Sequence, residues 1–147
     1  MIKKDSSKVT GSVNVVVRGE DGTVKQEFTV PNLVVDSGLD FIASRMKDAT
    51  ATAMSHMAVG TDNTAADAAD TALGTEIARV ALATPTVTDN AIAYVASYPA
   101  GTGTGALTEA GIFNDATTGD MLCRTVFAVI NKGAADSMTV TWTVTIS

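Results

Sequence analysis

A few residues have types and spacings that could carry chemistry. His56 is the chain's single histidine and stands directly after Ser55, and a serine beside a histidine has the ingredients of a nucleophile with its base. Successive side chains on a strand point to opposite faces, so on a strand Ser55 and His56 do not pair as a triad requires. The expectation is a hydrogen-bonded structural histidine, and one histidine cannot build the usual His-based metal centre. Asp62, Asp67 and Asp70 crowd one stretch and could offer oxygen ligands to calcium. Their spacing lacks the Asp-x-Asp-x-Asp-Gly run with its distant Glu, which leaves a solvated acidic loop as the reading. Gly101-Thr102-Gly103-Thr104-Gly105 has the glycine density of a phosphate cradle. Such a cradle needs a helix start behind it and usually a lysine, whereas Ala106-Leu107-Thr108-Glu109 continues as a strand, so the stretch reads as a strand connection. No catalytic, cofactor or metal residue is assigned.

Glu109 is more informative. On the alternation of Leu107, Gly111 and Phe113 it falls on the apolar face of its strand, where a carboxylate needs a partner. If Asn114 to Met121 closes a hairpin, Arg124 comes opposite Gly111 and diagonal to Glu109, on the face of Leu122 and Val126. Arg79 is the second candidate. An active-site acid with its tuner would look similar, but no nucleophile or second carboxylate accompanies it, so Glu109, Arg124 and Arg79 are expected to form a structural ion pair. Glu76 and His56 are expected as structural polar residues.

The elements that must position these residues have mostly period-two apolar patterns. Val9, Val13, Val15 and Val17 share one face of a strand over Val9 to Arg18. The turn residues Gly19 to Gly22 lead to a second strand over Thr23 to Val30, forming a hairpin. After Pro31-Asn32, Asp36 or Ser37 can cap a helix running to about Lys47, with Leu39, Ile42 and Met46 as its buried stripe. Further strands are expected over Met54 to Gly60, Arg79 to Ala83, Ala91 to Tyr98, Leu107 to Asn114, Met121 to Ile130 and Met138 to Ile146. Leu73 to Arg79 reads equally as a helical turn or an extended edge. In the last strand Val140, Trp142, Val144 and Ile146 alternate with Thr139, Thr141, Thr143 and Thr145, a threonine ladder that can pack dry against another sheet or subunit. Phe28, Ile42, Phe113 and Trp142 are core candidates. The fold class is mainly β: an antiparallel, jelly-roll-like β-sandwich with one short helix, one domain over residues 9–147 behind an N-terminal arm at 1–8.

Composition narrows the functions. Ten Lys and Arg against sixteen Asp and Glu give the 147 residues a formal charge of −6, and the basic residues form no cluster, which argues against nucleic acid. No apolar run approaches the ~20 residues of a membrane helix, and the basic start lacks the apolar stretch of a signal peptide. The chain therefore reads as soluble and made in a cytoplasm. The lone Cys123 excludes an internal disulfide scaffold.

The succession Met54-Ser55-His56-Met57-Ala58-Val59-Gly60, then Thr71-Ala72-Leu73-Gly74-Thr75-Glu76-Ile77-Ala78-Arg79, then Leu107-Thr108-Glu109-Ala110-Gly111-Ile112-Phe113 resembles structural modules of tailed-bacteriophage virions. Its order is similar to the collar-type domain of tail fibres, with an HMAVG-like strand, a Leu-x-x-Glu-x-x-x-Arg-like turn and a Glu-x-Gly-Leu-Phe-like strand. Here Arg79 follows Glu76 by three residues rather than four. The resemblance implies a non-enzymatic structural protein that joins copies of itself and other virion proteins, assembled in the host cytoplasm and resident on the particle. A tail-fibre or collar-type attachment module is the first expectation and a capsid decoration (cement) protein the second. A monomeric carbohydrate- or calcium-binding module using the Asp62 to Asp70 loop is the competing class.

Overall fold

The structure, a computed structural model, describes residues 8–147, so the expected N-terminal arm falls, Lys8 apart, outside the described residues. Two five-stranded antiparallel sheets pack face to face as a β-sandwich with one helix. Sheet A has the order β2-β1-β10-β7-β6 and sheet B the order β3-β9-β8-β4-β5. In chain order the elements are β1 (Val9–Arg18), β2 (Val24–Pro31), β3 (Leu33–Val34), α1 (Asp36–Lys47), β4 (His56–Gly60), β5 (Glu76–Ala81), β6 (Thr86–Thr88), β7 (Ala91–Tyr98), β8 (Gly105–Phe113), β9 (Met121–Lys132) and β10 (Ser137–Ile146).

The first and last strands pair along their whole length, from Val9 opposite Ile146 to Arg18 opposite Ser137. Val13, Val15 and Val17 of β1 and Val140 and Val144 of β10 face inward with Trp142 and meet Met57, Leu107, Ile112 and Ile130 of sheet B in the inter-sheet core. Trp142 is fully buried and Phe28 packs at the edge of this core, its ring 5.7 Å from that of Phe127. Each such side chain contributes about 1.5–3 kcal/mol when removed from water, so alternation of valine with threonine is enough to fix which face of sheet A turns inward.

Several expectations need correction. Two short strands, β3 and β6, have too few residues to show a period, and Leu73–Arg79 resolves into a loop followed by the edge strand β5. In α1 the N-cap is Val35, with no side-chain cap; Asp36 lies in the first turn and the Ser37 hydroxyl donates to the Met121 carbonyl at 2.8 Å. The buried stripe is also rotated. Leu39 and Met46 are exposed, Ile42 and Phe41 pack on the core, and Gly38 is the buried helical residue. A Cβ at Gly38 would collide with the Leu122 carbonyl, so the helix rests its bare backbone on β9 at that point, and this contact sets the orientation.

Candidate functional site

Glu109 owes its position to a bulge. The β8 and β9 register slips between Leu107 and Glu109, which sends Leu107 into the inter-sheet core while Phe113 joins a second cluster with Val35, Ala58, Leu73 and Met121. Glu109 and Phe113 thus belong to the outer side of sheet B rather than to one face with Leu107, because a bulge inserts one residue and resets the alternation. The loop between β4 and β5 covers this outer side. Its Leu73 sits over Gly111, where an added Cβ would come within 3.0 Å of Leu73 Cδ2.

Under that loop the Glu109 carboxylate is completely shielded from water. Oε1 accepts from the Gly74 N–H at 2.8 Å and from Arg124 Nε and Nη2 at 3.2 and 3.0 Å. Oε2 accepts from the N–H groups of Thr75 and Asp62 at 2.8 and 3.0 Å. Arg124 lies opposite Gly111 in the strand register, diagonal to Glu109, and its Nη1 donates to Asp70 Oδ2 at 3.0 Å. For a carboxylate that accepts from an arginine and from backbone N–H groups, these bonds compensate its burial. The arrangement fastens a polar loop to a sheet.

Arg79 goes elsewhere. It makes a two-pronged pair with Glu76, Nε to Oε2 at 3.1 Å and Nη2 to Oε1 at 2.7 Å, despite the three-residue spacing. Its Nη1 donates to the carbonyls of Asp115 and Thr118 at 3.0 and 2.8 Å, and its guanidinium stacks 3.8 Å above the Phe113 ring. Adjacent β4 and β5 place Arg79 opposite Ala58, on the outer side of sheet B but away from Glu109.

Ser55 and His56 do meet, Oγ to Nδ1 at 2.8 Å. The expectation that they cannot meet is thus overturned, although the Ser55 backbone continues the ladder, its N–H donating to the Phe113 carbonyl at 2.9 Å and its carbonyl accepting from the Leu82 N–H at 2.8 Å. Among the described residues no carboxylate bonds the other ring nitrogen, and the pair lacks the orienting acid of a triad. The aspartates of the β4–β5 loop organise the loop itself. Asp62 Oδ1 accepts from the Thr64 N–H at 2.8 Å, Asp67 Oδ1 from Ala69 at 2.8 Å, and Asp70 Oδ2 from Asp67 at 2.9 Å. The Thr64 bonds hold the Asp62 carboxyl below its ordinary range. Asp62 and Asp70 are half-buried, so the loop is a lid rather than a merely solvated stretch. Among the described residues no group of three or more His, Cys, Asp or Glu is placed to hold a metal ion. Gly101 to Gly105 carries the chain from β7 to β8, with φ of 84° at Gly101 and 68° at Gly103, values open chiefly to glycine.

Two polar anchors escaped the sequence reading. The buried Tyr98 hydroxyl donates across the sandwich to the Met57 carbonyl at 2.7 Å. Lys132, 2% exposed, donates to the carbonyls of Pro99 and Asp136 at 3.0 and 2.7 Å. Proline after Tyr98 hints at a chain reversal; nothing in the sequence around Lys132 distinguishes it from a surface lysine.

The outer side of sheet A is different. Across β1, β10 and β7 the rows read Thr10, Thr145, Ala91; Ser12, Thr143, Ala93; Asn14, Thr141, Val95; and Val16, Thr139, Ser97. Thr86 and Thr88 of β6 and Thr29 of β2 extend them. Among the described residues charge appears at the margins of this face, at Glu27 and Arg18 near one end and Lys8 at the other. About a quarter to a third of an ordinary surface is charged, so a face of this extent without a central charge is a distinct feature. Compared with known proteins, the chain matches no family model, no curated protein and no solved structure.

Proposed function

We propose that this chain is a non-enzymatic structural protein of a tailed-bacteriophage virion, an oligomerising β module on the particle exterior, most closely of the tail-fibre or collar type. The order of the three sequence motifs supports the class. The observation that carries the oligomerising role is the uncharged outer face of sheet A, because covering threonine, serine, alanine and valine requires no charge to leave water. Copies that each carry −6 approach with least repulsion through a face with no charge at its centre. At strand spacings of ~4.8 Å and rises of ~3.4 Å per residue the face projects on the order of 600 Å². A standard interface buries about 800 Å² per partner, so each contact is modest and tight assembly comes from repetition.

Size-exclusion chromatography with light scattering tests this reading: the wild type is expected to self-associate and Thr141→Arg to run as the monomer. A wild type that stays monomeric at high concentration and is missing from purified particles overturns it. The same surface would serve a capsid decoration protein, and copies per particle separate the two placements: few for a tail, in proportion to the shell protein for a cement.

A further inference from the structure

Between α1 and the end of sheet A at β6 lies a cleft of about 420 Å³, within the range of small-molecule pockets, about 300–1,000 Å³. Its walls are Ile42 and Met46 of α1, Val87 of β6, Ile92 of β7 and Ile146 at the end of β10. Three of these apolar side chains stand open to water, Met46 at 82%, Val87 at 68% and Ile146 at 44% exposure. Helix α1 covers this end of the sheet incompletely because it is docked through Gly38, at its first turn. Its last turn, which carries Met46, stands away from the core.

The polar groups of the cleft are few and of one kind. Tyr94 is 6% exposed and its side chain lines the cleft. Arg45 is fixed by one nitrogen, Nη1, which donates to the carbonyls of Ala51 at 2.8 Å and Ala49 at 3.4 Å. Its Nε and Nη2 have no partner among the described residues, and no acidic residue lines the cleft. Burial raises the Tyr94 phenol, and Arg45 lies near enough for its positive charge to oppose that rise. The cleft therefore offers apolar walls, one largely buried phenol and one cation with donors to spare, in a protein whose net charge is negative.

We propose that this cleft binds a small amphipathic anion, a medium-length alkyl chain ending in one anionic oxygen group, its chain along Met46, Val87 and Ile92 and its head between Tyr94 and Arg45. Apolar burial supplies most of the affinity, at about 0.8 kcal/mol per methylene, and the head group selects the sign of charge. The inference stands apart from the virion reading, since either can fail without the other.

Methyl NMR titration of the full chain with decanoate tests it, with decyltrimethylammonium as the matched cation. Saturable shifts at Met46, Val87, Ile92 and Ile146 are expected for decanoate, with the cation at least about tenfold weaker. Val87→Glu, at an exposed position that leaves the fold intact by thermal melting, should abolish binding. Arg45→Met should weaken it about fivefold, the upper range for an exposed ion pair. No saturable shift, equal binding of anion and cation, shifts centred elsewhere, or undiminished binding by Val87→Glu would each overturn the proposal.

Discussion

The outer sides of the two sheets solve the same problem in opposite ways. Sheet B is roofed by its own chain: the β4–β5 loop crosses it, Leu73 caps a small apolar cluster, and Glu109 gathers loop N–H groups and Arg124 beneath. Among the described residues sheet A has no such roof, and its strands present threonine, serine and alanine where sheet B hides a charged network. The contrast separates internal stability from external contact. Charges on the outer side of sheet B are buried and strongly coupled to the fold, whereas the outer side of sheet A is nearly free of charge and its substitution leaves the core untouched.

The sharpest way to break this contrast is Glu109→Ala. Removing the carboxylate strands Arg124 and the loop N–H groups, and a loss of roughly 3–5 kcal/mol is expected, since that is the usual cost of leaving one member of a buried pair alone. Denaturant midpoints measure it, and an unchanged midpoint would mean that the loop does not need its anchor. Gly60→Ala comes next. Its Cβ would run into the Thr75 carbonyl and lie 2.6 Å from Glu109 Oε2, and an overpacked site of this kind costs typically 1–3 kcal/mol.

Acid should act on the lid before the open face. Because the folded Asp62 carboxyl is lowered by its Thr64 bonds, the unfolded chain binds more protons in that window. Stability present above the ordinary aspartate value of about 3.9 is therefore lost as pH falls through the lower folded value. Melting temperature followed from pH 7 downward should drop below about pH 4, and Asp62→Asn should flatten that limb. Thr141→Arg is the smallest in stability, within about 0.5 kcal/mol, and leaves the acid limb unchanged. Its effect belongs to sedimentation or light scattering, where self-association should disappear.

Period-two patterning made the sandwich and the β1–β2 hairpin legible, because the valine faces of β1 and β10 leave only one side that can turn inward. The partnership of Glu109 with Arg124 was legible too, once a hairpin between β8 and β9 was assumed, since register alone places the arginine diagonally. Its destination was not. A bulge at Leu107–Glu109 has no signature in the residues themselves, and it moved the pair from the inter-sheet core to the underside of a loop. Nor did the aspartates between Thr61 and Thr75 announce a lid, because a polar, alanine-rich segment has the same composition whether it is solvated or folded over a sheet. The helix stripe failed for a related reason: spacing of Leu39, Ile42 and Met46 suggests a face, but the close contact at Gly38 fixed a different one.

By itself the sequence determined that the chain forms strands, which faces of β1 and β10 turn inward, that an acid in β8 requires a base, and that the last strand carries an uncharged ladder. These follow from local alternation and from the cost of burying a lone charge. Only the tertiary structure decided which segment covers sheet B, where the helix rests, and that an apolar cleft opens beside β6. Each of these depends on contacts between residues far apart in the chain or on a local break in strand regularity, and neither is encoded in the spacing of residue types.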